Sequence, residues 1–324
     1  VVTMKRVLFS YLLVLTLIVA TGLVASAQVR PPVPRASQKA SVLQTVGTTE
    51  ISITYSRPAV KGRPIFGDPP AAMANRAKGE ATLDNQNERK PGEPIVPWDH
   101  VWRTGANEAT LFVATDDVLI NGQLLPAGKY SLHAIPGKEE WTIIFNKDEG
   151  QWGSFSYDAK KDALRVKTKA QWVADTQELL AFNVDSVTEN SAVVTLRWEK
   201  AKVPFTVEVK DIVGSTLNRL AAYVAAAKSD DPGPALNAAN YAKSVKRMDE
   251  ATKWYDAALK ASDEQIKAKS NFANLGRRAN ILVAAGRMQE ALAAAEKAVE
   301  VGKAEKADTS ALEKRIADLK AGKN

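Results

Sequence analysis

The sequence predicts an α+β protein divided by domain. An antiparallel β-sandwich or barrel-like domain comes first, and an all-α domain of helical hairpins follows. Three observations carry this expectation. Residues 39–210 hold eight to ten short runs that alternate apolar and polar residues and are separated by turn signals. At about Asp211 the period changes to that of a helix, and the chain becomes rich in alanine. Ahead of both lies an apolar leader that resembles neither.

The leader reads as a secretory signal peptide over residues 1–27. Met4-Lys5-Arg6 is a short basic region, residues 7–24 are mostly apolar, and Ala25-Ser26-Ala27 is a small-residue cleavage site before Gln28. The competing reading is a membrane anchor, since the apolar run approaches spanning length. The small residues at the cleavage point, with no basic cluster after them, favour removal. The expectation is a periplasmic or secreted protein with no membrane segment after cleavage. Val1-Val2-Thr3 looks like an upstream start. Residues 28–38, with Pro31, Pro32 and Pro34, form a proline-rich linker.

The strands follow in order. Val42 to Val46 and Glu50 to Tyr55 make a hairpin around Gly47. Residues 68–94 have no period and are rich in Pro, Gly, Ala and charge, so they are predicted to be an irregular insertion, disordered over 71–91. Ala109 to Ala114 is a strand. Val118 to Ile120 turns at Asn121-Gly122, a two-residue hairpin signal. Lys129 to Ile135 pairs with Trp141 to Asn146 across Pro136-Gly137. Tyr130, Leu132 and Ala134 share one face there, and Ser131, His133 and Ile135 the other. An aromatic loop over 151–157 leads to strands at Ala163 to Thr168 and Leu179 to Val184. A last hairpin sets Ala192 to Trp198 against Val203 to Val209, turning at residues 199–202. Consecutive hairpins argue against a parallel sheet, which needs long crossovers.

Residues 211–234 contain a helix over Thr216 to Lys228, with Leu217, Leu220, Tyr223 and Val224 on one face, then a break at Pro232-Gly233-Pro234. Residues 235–324 are helical. Lys246-Arg247-Met248-Asp249-Glu250-Ala251 resembles Gly286-Arg287-Met288-Gln289-Glu290-Ala291. This is similar to the tetratricopeptide repeat, a helix–turn–helix unit, with residues 262–270 as extra length. A plain pair of helical hairpins remains the other reading. Helical repeats present concave surfaces, which suggests a protein partner for this tail.

Composition removes several classes. Hydrophobic residues make up 45% of 324, enough for packed cores. No cysteine is present, which excludes disulfides, thiolate nucleophiles, thiolate metal ligands and a lipid-modified cysteine. The net charge is +7, but Lys and Arg are scattered among acids, so no nucleic-acid partner is expected. With two histidines and no local ligand spacing, neither a metal nor another cofactor is expected.

One stretch holds more chemistry than a scaffold strand requires: Trp98, Asp99, His100, Trp102, Arg103, Asn107 and Glu108 just before a strand. The candidate ligand-binding residues are Arg57, Arg63, His100, Trp102, Arg103, Asn107 and Glu108. In the functional reading, Arg57, Arg63 and Arg103 gather round an acidic ligand, since guanidinium suits carboxylate or phosphate. In the structural reading, Arg103 is tied to Glu108 or Asp99, and Asn107 bonds loop backbone. Trp98, Trp102, Trp141 and Trp152 either form a sugar-binding platform or close one end of the sandwich. His133, in a strand, reads as a packed residue, and His100 as the better candidate of the two. No catalytic motif is present, and no catalytic residue can be assigned.

Across residues 39–210 the sequence resembles the family known as domain of unknown function 2911. The resemblance is carried by Tyr55-Ser56-Arg57-Pro58, Lys61-Gly62-Arg63, Ile65-Phe66-Gly67, Val96-Pro97-Trp98, Val101 to Thr110, Leu125 to Leu132, Ile135-Pro136-Gly137, Trp141 to Asn146 and Gln151-Trp152-Gly153. Residues 68–94 are longer than the family's usual link. The resemblance implies an exported bacterial protein, at times with a helical tail, and no established activity. The expected function is therefore a non-enzymatic ligand-binding or scaffold protein with a helical interaction tail and a small acidic or sugar ligand. A hydrolase acting on an acidic or sugar-containing envelope substrate is the alternative.

Overall fold

The computed structural model describes residues 33–70 and 90–321. The predicted leader and the expected disorder over 71–91, apart from residues 90 and 91, lie outside the described residues. No helix among the described residues is long and apolar enough to cross a membrane. Within Lys39–Asn324, one compact unit, the sheets come first and the helices after.

Strands of alternating burial, with residues 130–134 and 143–146 buried on both faces, build two sheets. Strands β1 (Gln38–Val46), β2 (Thr49–Arg57), β5 (Thr110–Ala114), β8 (Gly128–Ile135), β9 (Glu140–Asn146) and β10 (Asp162–Lys169) lie side by side in that order. The second sheet has the order β11 (Gln171–Val187), β12 (Ser191–Glu208), β6 (Val118–Ile120), β7 (Gln123–Leu125). Strands β3 (Phe66–Gly67) and β4 (Val96–Pro97) pair in parallel and bracket the insertion. The pairings from β2 to β10 in the first sheet, and all those of the second, are antiparallel.

The sheets are stitched together at both sides. Asn121, at φ 47° in the β6–β7 turn, donates to Lys167 O and accepts from Thr206 N. On the other side Val60 N donates to Glu178 O and Leu180 N to Pro58 O, each within 3.0 Å. These links explain why the sequence reads as sandwich and barrel at once.

The predicted hairpins mostly hold, with one correction. The last hairpin, with its turn at residues 199–202, does not exist. Residues 191–208 are one strand, β12, paired with the long β11 from Ala192 to Lys202 and with β6 at Val207 and Glu208. Glu199 takes φ 52°, and the register shifts between Gln177 and Ala181 opposite it. A bulge absorbs the polar Glu-Lys pair without ending the ladder. The real turn lies at residues 188–190, where Thr188 N donates to Ser191 O.

Six helices follow: α1 (Ile212–Ala225), α2 (Gly233–Ser244), α3 (Met248–Ala268), α4 (Phe272–Ala284), α5 (Met288–Ala304) and α6 (Ser310–Lys320). Helix α1 begins four residues before its predicted start, because the Asp211 carboxylate caps it by accepting from Gly214 N at 2.8 Å. Tyr223 departs from the expected buried face and is exposed. Gly47, at φ 59°, abuts Ile212: a Cβ there would lie 2.9 Å from Ile212 Cγ2. Arg219 binds Asp116 Oδ2 at 2.6 Å and Thr115 Oγ1 at 2.9 Å, fixing α1 to the sheet. Burial raises the Asp116 pKa, but bonds from Arg219 and Thr49 outweigh it and hold the carboxyl below its usual range.

The two similar segments occupy equivalent turns. Lys246 and Gly286 both have positive φ, and Arg247 and Arg287 each pair with the glutamate three residues on. Buried alanines at 238, 239, 242, 251 and 258 let α2 and α3 approach closely. Helix α3 carries the extra length.

The sandwich core is aromatic at one end. Phe66 stacks on Trp98 at 5.8 Å and meets Trp102, Trp141, Trp172 and Trp198 edge-on at 5.3–6.2 Å. Trp102 stacks on Trp198 at 5.7 Å. Of the alternatives for the tryptophans, Trp98, Trp102 and Trp141 close the core, while Trp152 lies apart and part-exposed. Phe66→Ala should cost about 3 kcal/mol, as large-to-small core changes do. Urea denaturation followed by tryptophan emission measures it, and a loss under about 1 kcal/mol would mean that the indoles hold one another without the phenyl ring.

Candidate functional site

The outer face of the six-stranded sheet carries a polar row. Thr54 pairs with Leu111, Leu111 with Ser131, Ser131 with Asn146 and Asn146 with Asp162. Directly paired residues share a face, so these five side chains run across β2, β5, β8, β9 and β10. Ser56 and His133 lie two residues along their strands and join the same face. An outer face is ordinarily solvated. Here Ser56, Ser131, His133 and Asn146 are at most 2% exposed, so something covers them.

The cover is the 103–109 segment clasped to the 147–157 loop. Ala109 N donates to Gln151 O at 3.0 Å, and Gly153 N to Asn107 O at 2.9 Å. The sequence motif is what shapes the 103–109 segment. Thr104 and Asn107 take φ 52° and 59°. A β-branched residue in that region is strained, and bonds hold it: Thr104 Oγ1 donates to Leu132 O at 2.8 Å, and Thr110 Oγ1 donates to Thr104 O at 3.0 Å. Gly105 packs closely there: a Cβ would lie 3.1 Å from Ser56 O and from Thr110 Oγ1.

The candidate residues divide. Trp102 is core, bonded through both backbone groups to Ala134 at 2.8 Å, with its indole N–H donating to Gly105 O at 3.3 Å. His100 is buried, with Nδ1 2.7 Å from Trp98 O. Arg103 donates to Asn107 O at 2.9 Å. Arg57 Nε donates to Leu180 O at 2.8 Å, and Arg63 donates to Val60 O and Ala59 O. These three arginines thus bond main-chain carbonyls that shape the fold. Glu108 differs: its carboxylate lies 3.8 Å from Lys39 Nζ of β1.

Beside Glu108 opens a pocket of about 150 Å³. Lys39, Thr54, Tyr55, Ser56, Ala109 and Leu111 line it with Glu108. Ser56 Oγ is buried and has no hydrogen-bond partner. An unsatisfied buried hydroxyl costs about 1–3 kcal/mol.

Under the loop, His133 Nε2 lies 3.0 Å from Ser131 Oγ, and Gln151 Nε2 donates to the same hydroxyl at 3.4 Å. His133 Nδ1 has no partner. Burial holds the imidazole down to about 3, with the Arg103 charge pushing the same way against Asp148. Next to it Tyr157 donates to Asp162 Oδ2 at 2.9 Å and accepts from Arg165 at 2.8 Å. Burial, then the Asp162 carboxylate, pushes the phenol well above its usual range. No group of three or more His, Asp or Glu able to hold a metal occurs among the described residues. Sequence reasoning put Ser131 and His133 on one face but missed Lys39, Ser56, Gln151 and Tyr157 as parts of the site, because only register and loop closure bring them there.

The model of the protein family of unknown function DUF2911 matches residues 37–207, which cover both sheets and this site. The chain belongs to that family. No curated protein and no solved structure matches it.

The buried His133 makes stability depend on pH. Its folded pKa lies below the unfolded value, so its contribution is complete above about pH 6.5 and is lost as pH falls toward 3. Between pH 6.5 and 4.5 the loss should reach at most about 1.4 kcal/mol per pH unit. Melting curves across that range should slope for the native chain and flatten for His133→Gln. A slope unchanged by the substitution assigns the effect elsewhere.

Proposed function

We propose that the chain is an exported, periplasmic or secreted, non-enzymatic binding protein. Its β domain takes a small ligand beside Glu108, and its helical tail engages a protein partner. The pocket bounded by Ser56, Lys39 and Glu108 carries this reading. It sits among the residues of the family motif, and its buried serine hydroxyl has no partner within the fold.

The hydrolase alternative draws on the density of His100, Arg103, Asn107 and Glu108, but His100 is 2% exposed and Arg103 donates to a main-chain carbonyl, and the Ser131–His133 pair that the fold brings together is poorly suited to it. Both residues are at most 1% exposed. A histidine held to about 3 is a weak general base at neutral pH, and no carboxylate orients its Nδ1.

For the tail, a groove of about 480 Å³ between α4 and α6 supports an acidic peptide segment as the partner. Arg277, Arg315, Asn280 and Asp308 line it over Phe272 and Leu312. The two arginines outnumber the one carboxylate there, and their charge complements a run of carboxylates. Gly276 leaves room there, since a Cβ would meet nothing nearer than Leu312 Cδ2 at 3.9 Å.

Two measurements test the proposal. A thermal-shift panel on the full mature chain, with sugars, acidic metabolites and amino acids, should give a shift that Glu108→Gln removes; a flat panel argues against the β-domain site. Fluorescence anisotropy with an acidic labelled peptide should show binding that weakens with salt and with Arg315→Ala, and that Gly276→Leu blocks. Equal affinity for a basic peptide overturns the charge argument.

A further inference from the structure

Resting on the small-ligand reading above, we infer that the pocket beside Glu108 takes a small aliphatic α-amino acid in its zwitterionic form. The argument begins with the charges at the pocket. Lys39 Nζ and Glu108 Oε1 face each other at 3.8 Å, beyond direct hydrogen-bond distance, with side chains 59% and 29% exposed. One cation and one anion at this spacing match a ligand that carries one of each on adjacent atoms. The ligand's ammonium replaces Lys39 as the partner of Glu108, and its carboxylate replaces Glu108 as the partner of Lys39. Neither protein charge is left unpaired, so the exchange conserves ion pairing while bringing in the ligand.

The rest of the lining sets size and polarity. Ala109 and Leu111 supply apolar surface, and Thr54 adds a methyl group. About 150 Å³ is room for a ligand the size of alanine or valine. Ser56 supplies the third polar group. Its hydroxyl is both donor and acceptor, is 2% exposed with its residue, and has no partner in the fold. A ligand carboxylate accepting from it would satisfy the group that folding leaves unsatisfied. A sugar of several hydroxyls would instead find too few polar partners in this lining. An acidic metabolite without an amine would leave Glu108 facing a like charge.

The test is isothermal titration calorimetry on the full mature chain with L-valine. Two one-charge analogues run beside it: 3-methylbutanoate, which lacks the ammonium, and isobutylamine, which lacks the carboxylate. Valine should bind, and each analogue should bind at least about tenfold more weakly, the loss of about 1.4 kcal/mol. Ser56→Ala separates binding from folding. Removing an unpartnered hydroxyl should leave the melting temperature of the ligand-free chain unchanged or raised, while valine affinity falls about tenfold. Glu108→Gln should abolish the preference for valine over 3-methylbutanoate. Equal binding of valine and 3-methylbutanoate, or full binding by both variants, would overturn the inference. If valine fails while a sugar or acidic metabolite binds in a Glu108-dependent way, the ligand class falls and the small-ligand reading stands. If nothing binds, both fall.

Discussion

A single phenyl ring set among indoles connects the parts of the sandwich. Phe66 reaches the core from a two-residue strand, yet it touches five of the chain's seven tryptophans. Trp102 comes from the family motif, Trp141 from β9, and Trp172 and Trp198 from the two long strands of the second sheet. One residue thus joins both sheets and the site segment. Aromatic pairs contribute about 0.5–1.5 kcal/mol each beyond their burial. That offsets the cost of leaving the indole N–H groups of Trp141 and Trp198 without partners. It also fixes the path of residues 98–102, and so the position from which the strained 104–107 turn crosses the outer face.

From that fixed path the polar site follows. A sheet with one packed face leaves the other to water unless loops cover it. Here the 103–109 and 147–157 segments bind each other through backbone bonds and roof a row of serine, histidine and asparagine. The roof is complete over His133, where burial keeps the imidazole neutral, and incomplete at Glu108, where the pocket opens. The two ends of one row therefore do different work. The sealed end is part of the fold's stability, and the open end meets solvent.

Much of the fold was legible because strand alternation and turn chemistry are local. Asn121-Gly122 announced its hairpin, and Ser131 and His133 were placed on one face by counting alone. What failed was local too. Glu199-Lys200 looks like a turn in sequence, but a bulge lets the ladder run through it, and pairing with β11 decides between the two. Tyr223 fitted a helical face that the neighbouring helices leave uncovered. The site was half legible. The motif drew attention to Glu108, while Lys39 and Ser56 acquire meaning only from register across β1, β2 and β5. Arginines that look like ligand groups were taken by backbone carbonyls, which composition cannot reveal.

The parallel pairing of Phe66–Gly67 with Val96–Pro97 separates the insertion from the core. It ties off the chain on both sides of the insertion, with Ile95 N bonded to Pro64 O and Trp98 N to Gly67 O at 3.1 and 2.8 Å. Because the ends of that excursion are fastened to each other, its length is uncoupled from the aromatic core it adjoins. Closing a longer loop costs only about 0.6 kcal/mol per doubling. The sandwich can therefore accommodate a different length of chain between these two strands without a change to its core.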